Sequence, residues 1–289
     1  MSQLDPTEVE AQAARALAED WRGTDLTGAA VVDPGQRCLA QVVAREDGVL
    51  CGVALATEVF RQVDSAISCS QLLQDGDHLS DGSVAMRVEG PAQGVLVGER
   101  TALNFMQHLS GIASLTARFV AVASEYGVEI LDTRKTIPGL RALEKYATRT
   151  GGARNHRMGL YDAILIKDNH CDLAGGLAAA LERARARHPA RELEVEVRST
   201  EELEVALRFG IGRVLLDNFT PEAAVEAVKL VEGRSEIEIS GGVDLDNLGR
   251  YAAARPQYIS VGRLTQSAPA LDLAMKVVPS ARPGFPPRR

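Results

Sequence analysis

From about residue 128 onward, short runs of β-branched and aliphatic residues alternate with stretches whose apolar positions recur three and four apart. The runs are VEILDT, AILIKD, LEVEV, GRVLLD, EIEIS and QYISVG, each long enough for a buried strand and too short for a helix. Between them, LAGGLAAALERARAR, TEELEVALRFG and TPEAAVEAVKLVEG carry the helical period. Thr220 ahead of Pro221 supplies a hydroxyl N-cap with proline in the first turn. This repeating βα pattern predicts a closed or nearly closed α/β barrel of the triosephosphate isomerase kind, with an open doubly wound sheet as the structural alternative. A full set of eight strands is not visible.

The first hundred or so residues have a different rhythm. A helix over Pro6 to Trp21 precedes strand-like pieces at CLAQVVARE, VLCGVAL, SVAMRVEG and GVLVGE, with turn signals at Asp47-Gly48, Asp75-Gly76 and Asp81-Gly82. Two helical stretches, ERTALNFMQHLSG and ASLTARFVAVASEYG, lead into the repeating region. The predicted organisation is an α+β domain over residues 1–112, an α/β barrel over 113–276 and a tail over 277–289, whose Pro-rich, basic PSARPGFPPRR reads as a frayed end.

Composition narrows the class. A chain of 289 residues, 45% hydrophobic, can bury a substantial core, and 4% aromatic content suits helices packed on a parallel sheet better than an aromatic-rich sandwich. No apolar run approaches the roughly 20 residues that a membrane span needs, and MSQLDPTEVE has no charged region followed by an apolar one. The expectation is a soluble, cytoplasmic protein with no membrane partner. Cys38, Cys51, Cys69 and Cys171 show no Cys-x-x-Cys spacing and read as reduced packing residues, with no structural metal site.

Charge changes the picture more. The chain carries a net −7, yet between Arg134 and Lys167 there are eight Lys or Arg against two acids, Glu144 and Asp162. A basic stretch punctuated by Gly and Pro in an acidic protein points to a small polyanion rather than to nucleic acid. On the predicted strands, polar residues fall at the carboxyl ends, where barrel loops converge on one mouth. Strand one ends in Asp132, Thr133, Arg134 and Lys135, strand two in Lys167 and Asp168, strand three carries Glu196, and strand four ends in Asp217-Asn218. The last two end in Ser240-Gly241-Gly242 and Val261-Gly262-Arg263, turns that expose backbone N–H groups to a phosphate. Arg134, Arg157 and Lys167 suit carboxylates, with His156 as a further donor. Glu196 and Asp217 suit a hard cation such as Mg²⁺, or ribose hydroxyls.

Other readings compete with these. Arg141, Lys145 and Arg149 recur four apart on a helical stretch and read as a solvated or structurally paired face. His108 and His170 read as satisfied hydrogen-bonding residues. Glu194 and Glu196 share one face of their strand, and only register decides which reaches the mouth.

Taken together, the segments GERTALNFMQHLSGIAS, LDTRKTIPGLRALEKYA, GGARNHRMGLYDAILIKDNH, LEVEV, LLDNF, SGG and VGRLT resemble the quinolinate phosphoribosyltransferase family, in its order and at its approximate spacing over about residues 7 to 276. The resemblance implies an amino-terminal sandwich-like domain, an incomplete barrel, and a homodimer or an oligomer of dimers in which Arg100 is donated across the interface. It selects Glu196 over Glu194. It implies that Arg134, His156, Arg157 and Lys167 contact quinolinate, while Lys135, Glu196, Asp217 and the two glycine turns hold Mg²⁺-phosphoribosyl pyrophosphate beside Thr133. Arg263 and Gln266 depart from the family pattern. Rival readings are a related phosphoribosyltransferase for another aromatic acid, a Schiff-base aldolase using Lys167, and a non-catalytic sugar-phosphate-binding barrel.

Overall fold

Residues 4–278 are described by the computed structural model. The chain divides into two compact units: the chain up to Ser114 together with the chain from Ala268 onward, and Leu115–Ser267.

The first unit begins with α1 (Pro6–Asp20), capped by the Asp5 carboxylate accepting the Thr7 N–H at 2.9 Å, with Pro6 in its first turn. After α2 (Leu26–Val31) come β1 (Arg37–Ala44), β2 (Gly48–Val49), α3 (Val53–Val63), β3 (Ser68–Gln71), β4 (His78–Leu79) and β5 (Val84–Pro91). A last strand, β12 (Leu273–Val278), returns from the far end of the sequence and pairs antiparallel with β1, giving a sheet in the order β12-β1-β5-β3. The predicted boundary at residue 276 therefore falls inside a strand; the remainder of the predicted tail, residues 279–289, lies outside the described residues.

Two predicted strands are not strands. VLCGVAL contributes only the end of β2 and then enters α3, whose Leu55, Ala56, Val59 and Phe60 are buried at helical spacing. GVLVGE lies in α4 (Ala92–Ser124), which also absorbs both predicted helices as one element of 33 residues. Buried Val95, Ala102, Leu103, Met106 and Leu109 keep the helical period through it, so periodicity outweighs the β-branched bias of its first turns. Ser110 fixes α4 to the first unit: its Oγ accepts the Cys51 N–H at 2.8 Å and donates to the Cys51 carbonyl at 3.1 Å.

In the second unit all six predicted strands form: β6 (Glu129–Leu131), β7 (Ile164–Ile166), β8 (Leu193–Val197), β9 (Arg213–Asp217), β10 (Glu236–Ser240) and β11 (Tyr258–Ser260). They are parallel, in the order β6-β11-β10-β9-β8-β7. The end strands β6 and β7 do not pair with each other, so the barrel is incomplete; an isolated bridge between Leu131 and Arg154 borders the open side. The intervening helices are α5 (Arg141–Thr150), α6 (Asp168–Ala174), α7 (Leu177–Arg187), α8 (Thr200–Arg208), α9 (Pro221–Val231), α10 (Leu248–Ala252) and α11 (Arg263–Gln266). Thr220 caps α9 as predicted, its Oγ1 accepting the Ala223 N–H at 3.2 Å. One continuous core, including Val195, Val197, Val214, Leu216, Ile237 and Ile239, fills the space between sheet and helices.

Two helical glycines differ in what surrounds them. A Cβ on Gly111 in α4 would lie 2.0 Å from the Pro269 carbonyl oxygen, whereas one on Gly249 in α10 would meet nothing closer than the Tyr126 hydroxyl at 3.8 Å. Gly111→Ala should therefore lower stability by about 1–3 kcal/mol through overpacking, while Gly249→Ala should be neutral or stabilising through helix propensity. Urea denaturation of the two variants checks the contrast.

Candidate active site

Alternation along the strands sorts the polar residues of the second unit. Val195 and Val197 belong to the outer core, so Glu194 and Glu196 both face the barrel interior. The same alternation turns Glu238 and Ser240 inward from β10, with Ile237 and Ile239 outward. Ser240 stands opposite Asp217, and Glu196 and Glu238 both flank Leu215 on β9.

At the carboxyl ends of these strands lies a cavity of about 670 Å³, lined wholly by the second unit. It brings together Thr133, Arg134 and Lys135 after β6, His156 and Arg157 from the following loop, Lys167 after β7, Glu196, Asp217, and the turns Ser240-Gly241-Gly242 and Val261-Gly262-Arg263. Arg100, exposed on α4 in the first unit, is not among the lining residues.

Asp132 organises the basic side of the cavity. Its carboxylate, at the end of β6, is fully buried and accepts four hydrogen bonds: from Lys145 Nζ, from Thr148 Oγ1 at 2.9 Å, from Asn155 Nδ2 at 2.6 Å and from the His156 N–H at 2.8 Å. Lys145 also donates to the His156 carbonyl at 2.8 Å. Burial lowers the Lys145 pKa, and the Asp132 charge offsets part of that. Of the two readings of this helix face, Lys145 takes the structurally paired one. Arg141 does more than pair: it lines the cavity while its Nε donates to Thr136 Oγ1 at 3.0 Å and its Nη1 to the Met158 carbonyl at 3.1 Å.

The cations of the mouth crowd one another. Burial, and next the like charge of Arg134, depress the Arg157 pKa, although Arg157 Nη1 is anchored on the Ala163 carbonyl at 3.0 Å. The Arg134 guanidinium and the Lys135 ammonium make no hydrogen bond or ion pair among the described residues. Lys167, at the start of α6, is ion-paired with Glu196. Its backbone N–H donates to His170 Nδ1 at 2.9 Å, which gives His170 the local structural role expected.

The turns are built for close approach. Gly241 has φ 100°, and a Cβ there would sit 2.2 Å from Asn218 Oδ1 and 2.9 Å from the Asn218 backbone nitrogen. A Cβ on Gly262 would press on the Lys135 stem at 2.8 Å. Thr265 Oγ1 donates to the Lys135 carbonyl at 2.7 Å, tying the last turn to the first.

Below the mouth, His156 Nε2 lies 3.3 Å from Glu194 Oε1 and 3.5 Å from Glu238 Oε2. Burial disfavours a charge on the ring, while hydrogen bonds to both glutamates, and their charges, favour a proton at Nε2. Burial, with the Glu238 charge, pushes Glu194 upward. Nδ1 accepts the Arg157 N–H at 2.7 Å, which opposes a second ring proton and leaves the one proton on Nε2, facing the lone pairs of the acids.

Comparison with known proteins fits this geometry. Residues 25–110 match the N-terminal domain of quinolinate phosphoribosyl transferase, and residues 112–276 match its C-terminal domain. The chain belongs to the quinolinate phosphoribosyltransferase family. A Mycobacterium leprae nicotinate-nucleotide pyrophosphorylase [carboxylating] is 42% identical over 267 residues, 90% of this chain and 94% of that protein. A probable nicotinate-nucleotide pyrophosphorylase [carboxylating] of Bacillus subtilis is 40% identical over 90% of both chains. The solved nicotinate-nucleotide pyrophosphorylase of Francisella tularensis superposes with a TM-score of 0.91 at 37% identity, covering 96% of this chain and 98% of that one.

The sequence reading passed over two charged lining residues, Glu238 and Arg141. Glu238 was accessible to it, because EIEIS alternates as LEVEV does. Arg141 was masked by its helical spacing with Lys145 and Arg149.

Removing one partner of a buried ion pair leaves the other charge uncompensated. Lys145→Met should destabilise the protein by about 3–5 kcal/mol, far more than Lys229→Met, which breaks an exposed pair with Glu226. Guanidinium denaturation of both variants measures the difference.

Proposed function

We propose that the protein transfers the phosphoribosyl group of phosphoribosyl pyrophosphate to quinolinate and removes the C2 carboxylate, giving nicotinate mononucleotide, pyrophosphate and CO₂ in de novo NAD biosynthesis. The observation that carries this reading is one cavity in which unpaired and crowded cations meet two strand-end acids and two glycine turns, in a chain of this family.

Quinolinate has two adjacent carboxylates. Arg134, Arg157 and Lys167 are its proposed grip, with His156 beside them; Arg157 is held at both its backbone N–H and its guanidinium. Nicotinate lacks one carboxylate and would leave cations unpaired, which costs binding. Lys135, Thr133 and the N–H groups of the Gly241-Gly242 and Gly262 turns suit the phosphates. For Lys167 to reach a carboxylate, its pairing with Glu196 must loosen, which frees Glu196 for the other substrate.

Glu196 and Asp217 end adjacent strands and offer two carboxylates, a donor set that fits Mg²⁺ retaining water and phosphate ligands. Bound there, the cation would neutralise charge on the departing pyrophosphate. The quinolinate nitrogen forms its bond to ribose C1 as the C1–pyrophosphate bond breaks. The bond from C2 to its carboxylate then breaks, its electron pair stays on C2 beside the pyridinium nitrogen, and C2 takes a proton from solvent. No general base is required.

The proposed assembly is a homodimer, or an oligomer of dimers, with Arg100 reaching the cavity of a second copy. Its exposure on α4 and the exposed Leu160 and Tyr161 support this. No helix among the described residues is long and apolar enough to cross a membrane, and we assign the enzyme to the cytoplasm.

Release of pyrophosphate and CO₂ from quinolinate in the presence of Mg²⁺, with no turnover of nicotinate, tests the reaction; equal use of both acids would sink it. Arg134→Ala and Lys167→Ala should weaken quinolinate binding by about tenfold to a hundredfold or more, as expected for truncating a charge-paired contact. Lys135→Ala should act chiefly on phosphoribosyl pyrophosphate. Calorimetry with each substrate separates the two groups.

A further inference from the structure

Glu238 has no task in the reaction above, yet its placement is costly. It is fully buried beneath the cavity, and neither carboxylate oxygen has a hydrogen-bond partner of full geometry among the described residues. Its cationic neighbours are His156 Nε2 at 3.5 Å and Arg213 Nη1 at 3.9 Å, and the Ser260 hydroxyl also lies beside it. Arg213 is already engaged with Glu236 at 3.0 Å and lies over the Tyr258 ring at 4.1 Å. Of the two cations, that leaves His156, which Glu194 shares from β8.

A metal ion held by His156, Glu194 and Glu238 would also account for the acids, since their ligand atoms lie within 4.8 Å of one another. It would need the lone pair of Nε2. Nδ1 accepts the Arg157 N–H at 2.7 Å, and a ring whose Nδ1 accepts carries its proton on Nε2. The ring therefore faces the two acids as a donor.

We infer that Glu238, together with Glu194, is a positioning residue that acts through His156. By receiving the Nε2–H, the acids fix the ring and its tautomer; through Nδ1 the ring holds the backbone N–H of Arg157, and so aims the guanidinium at the substrate carboxylate. A line of contacts, from Glu238 and Glu194 to His156 to Arg157, links the barrel interior to the mouth. The inference deepens the proposed function and rests on Arg157 as a carboxylate-binding residue.

The test pairs kinetics with a spectrum. Glu238→Leu removes the acceptor and should raise KM for quinolinate about tenfold, with KM for phosphoribosyl pyrophosphate within about twofold, since the lost interaction concerns one substrate's binding. Glu238→Gln keeps an acceptor oxygen and should recover most of the loss. Nitrogen-15 spectra of the full-length wild type at neutral pH should show His156 protonated at Nε2 and bare at Nδ1. An unchanged Leu variant, parallel shifts in both KM values, a Gln variant no better than Leu, or His156 protonated at Nδ1 would each overturn the inference. If the Leu variant does not fold, the spectrum and the Gln variant decide. If wild type does not turn over quinolinate, the proposed function fails, while the spectrum still judges the relay.

Discussion

A buried carboxylate must be compensated where it sits, and Asp132 is compensated by donors from two places at once. Lys145 and Thr148 come from α5, Asn155 and the His156 N–H from the loop beyond it, and Asp132 itself from the end of β6. Because leaving any of these unpaired costs free energy in a low-dielectric interior, strand end, helix and loop are held in one arrangement. Arg134 and Lys135 follow Asp132 directly, and Arg157 follows His156. The cations of the mouth are thus placed by an interaction in which none of their side chains takes part.

That division of labour explains how like charges tolerate one another. Arg157 is depressed by burial and by Arg134, a repulsion that an isolated loop would relieve by moving. Here its backbone N–H is fixed on His156 and its guanidinium on the Ala163 carbonyl, so the strain persists until an anion arrives. Part of it is balanced by the charges of Glu194 and Asp162. The site is preorganised for negative charge, and the free energy that holds it comes from hydrogen bonds outside the contact surface.

The barrel was legible in the sequence because each parallel strand is a compact apolar run and each inward acid sits at a strand's end or in strict alternation. The candidate site was legible for the same reason: barrel geometry carries residues as distant as Thr133 and Arg263 to one mouth. What escaped had competing local signals or remote partners. GVLVGE looks like a strand until the apolar spacing is followed into the rest of α4. The strand β12 is recognisable only through β1, whose Val42 pairs with Met275 across most of the chain. Glu196 was separated from Glu194 only by the family resemblance, because the alternation of LEVEV leaves register open.

The excess charge between Arg134 and Lys167 marks the site without being the site. Lys145 spends its charge on Asp132, Arg154 on Glu129 and Tyr258, and Arg141 bonds neighbouring loops while lining the cavity. Only some of the eight cations remain for a ligand, and the acids that complement them arrive from β8, β9 and β10. A charge run in a sequence therefore records two demands at once: the anion to be bound, and the buried anion, Asp132, that fixes the loops binding it. The second demand is the less visible, because a buried lysine and an exposed one read alike until the fold brings the aspartate to it.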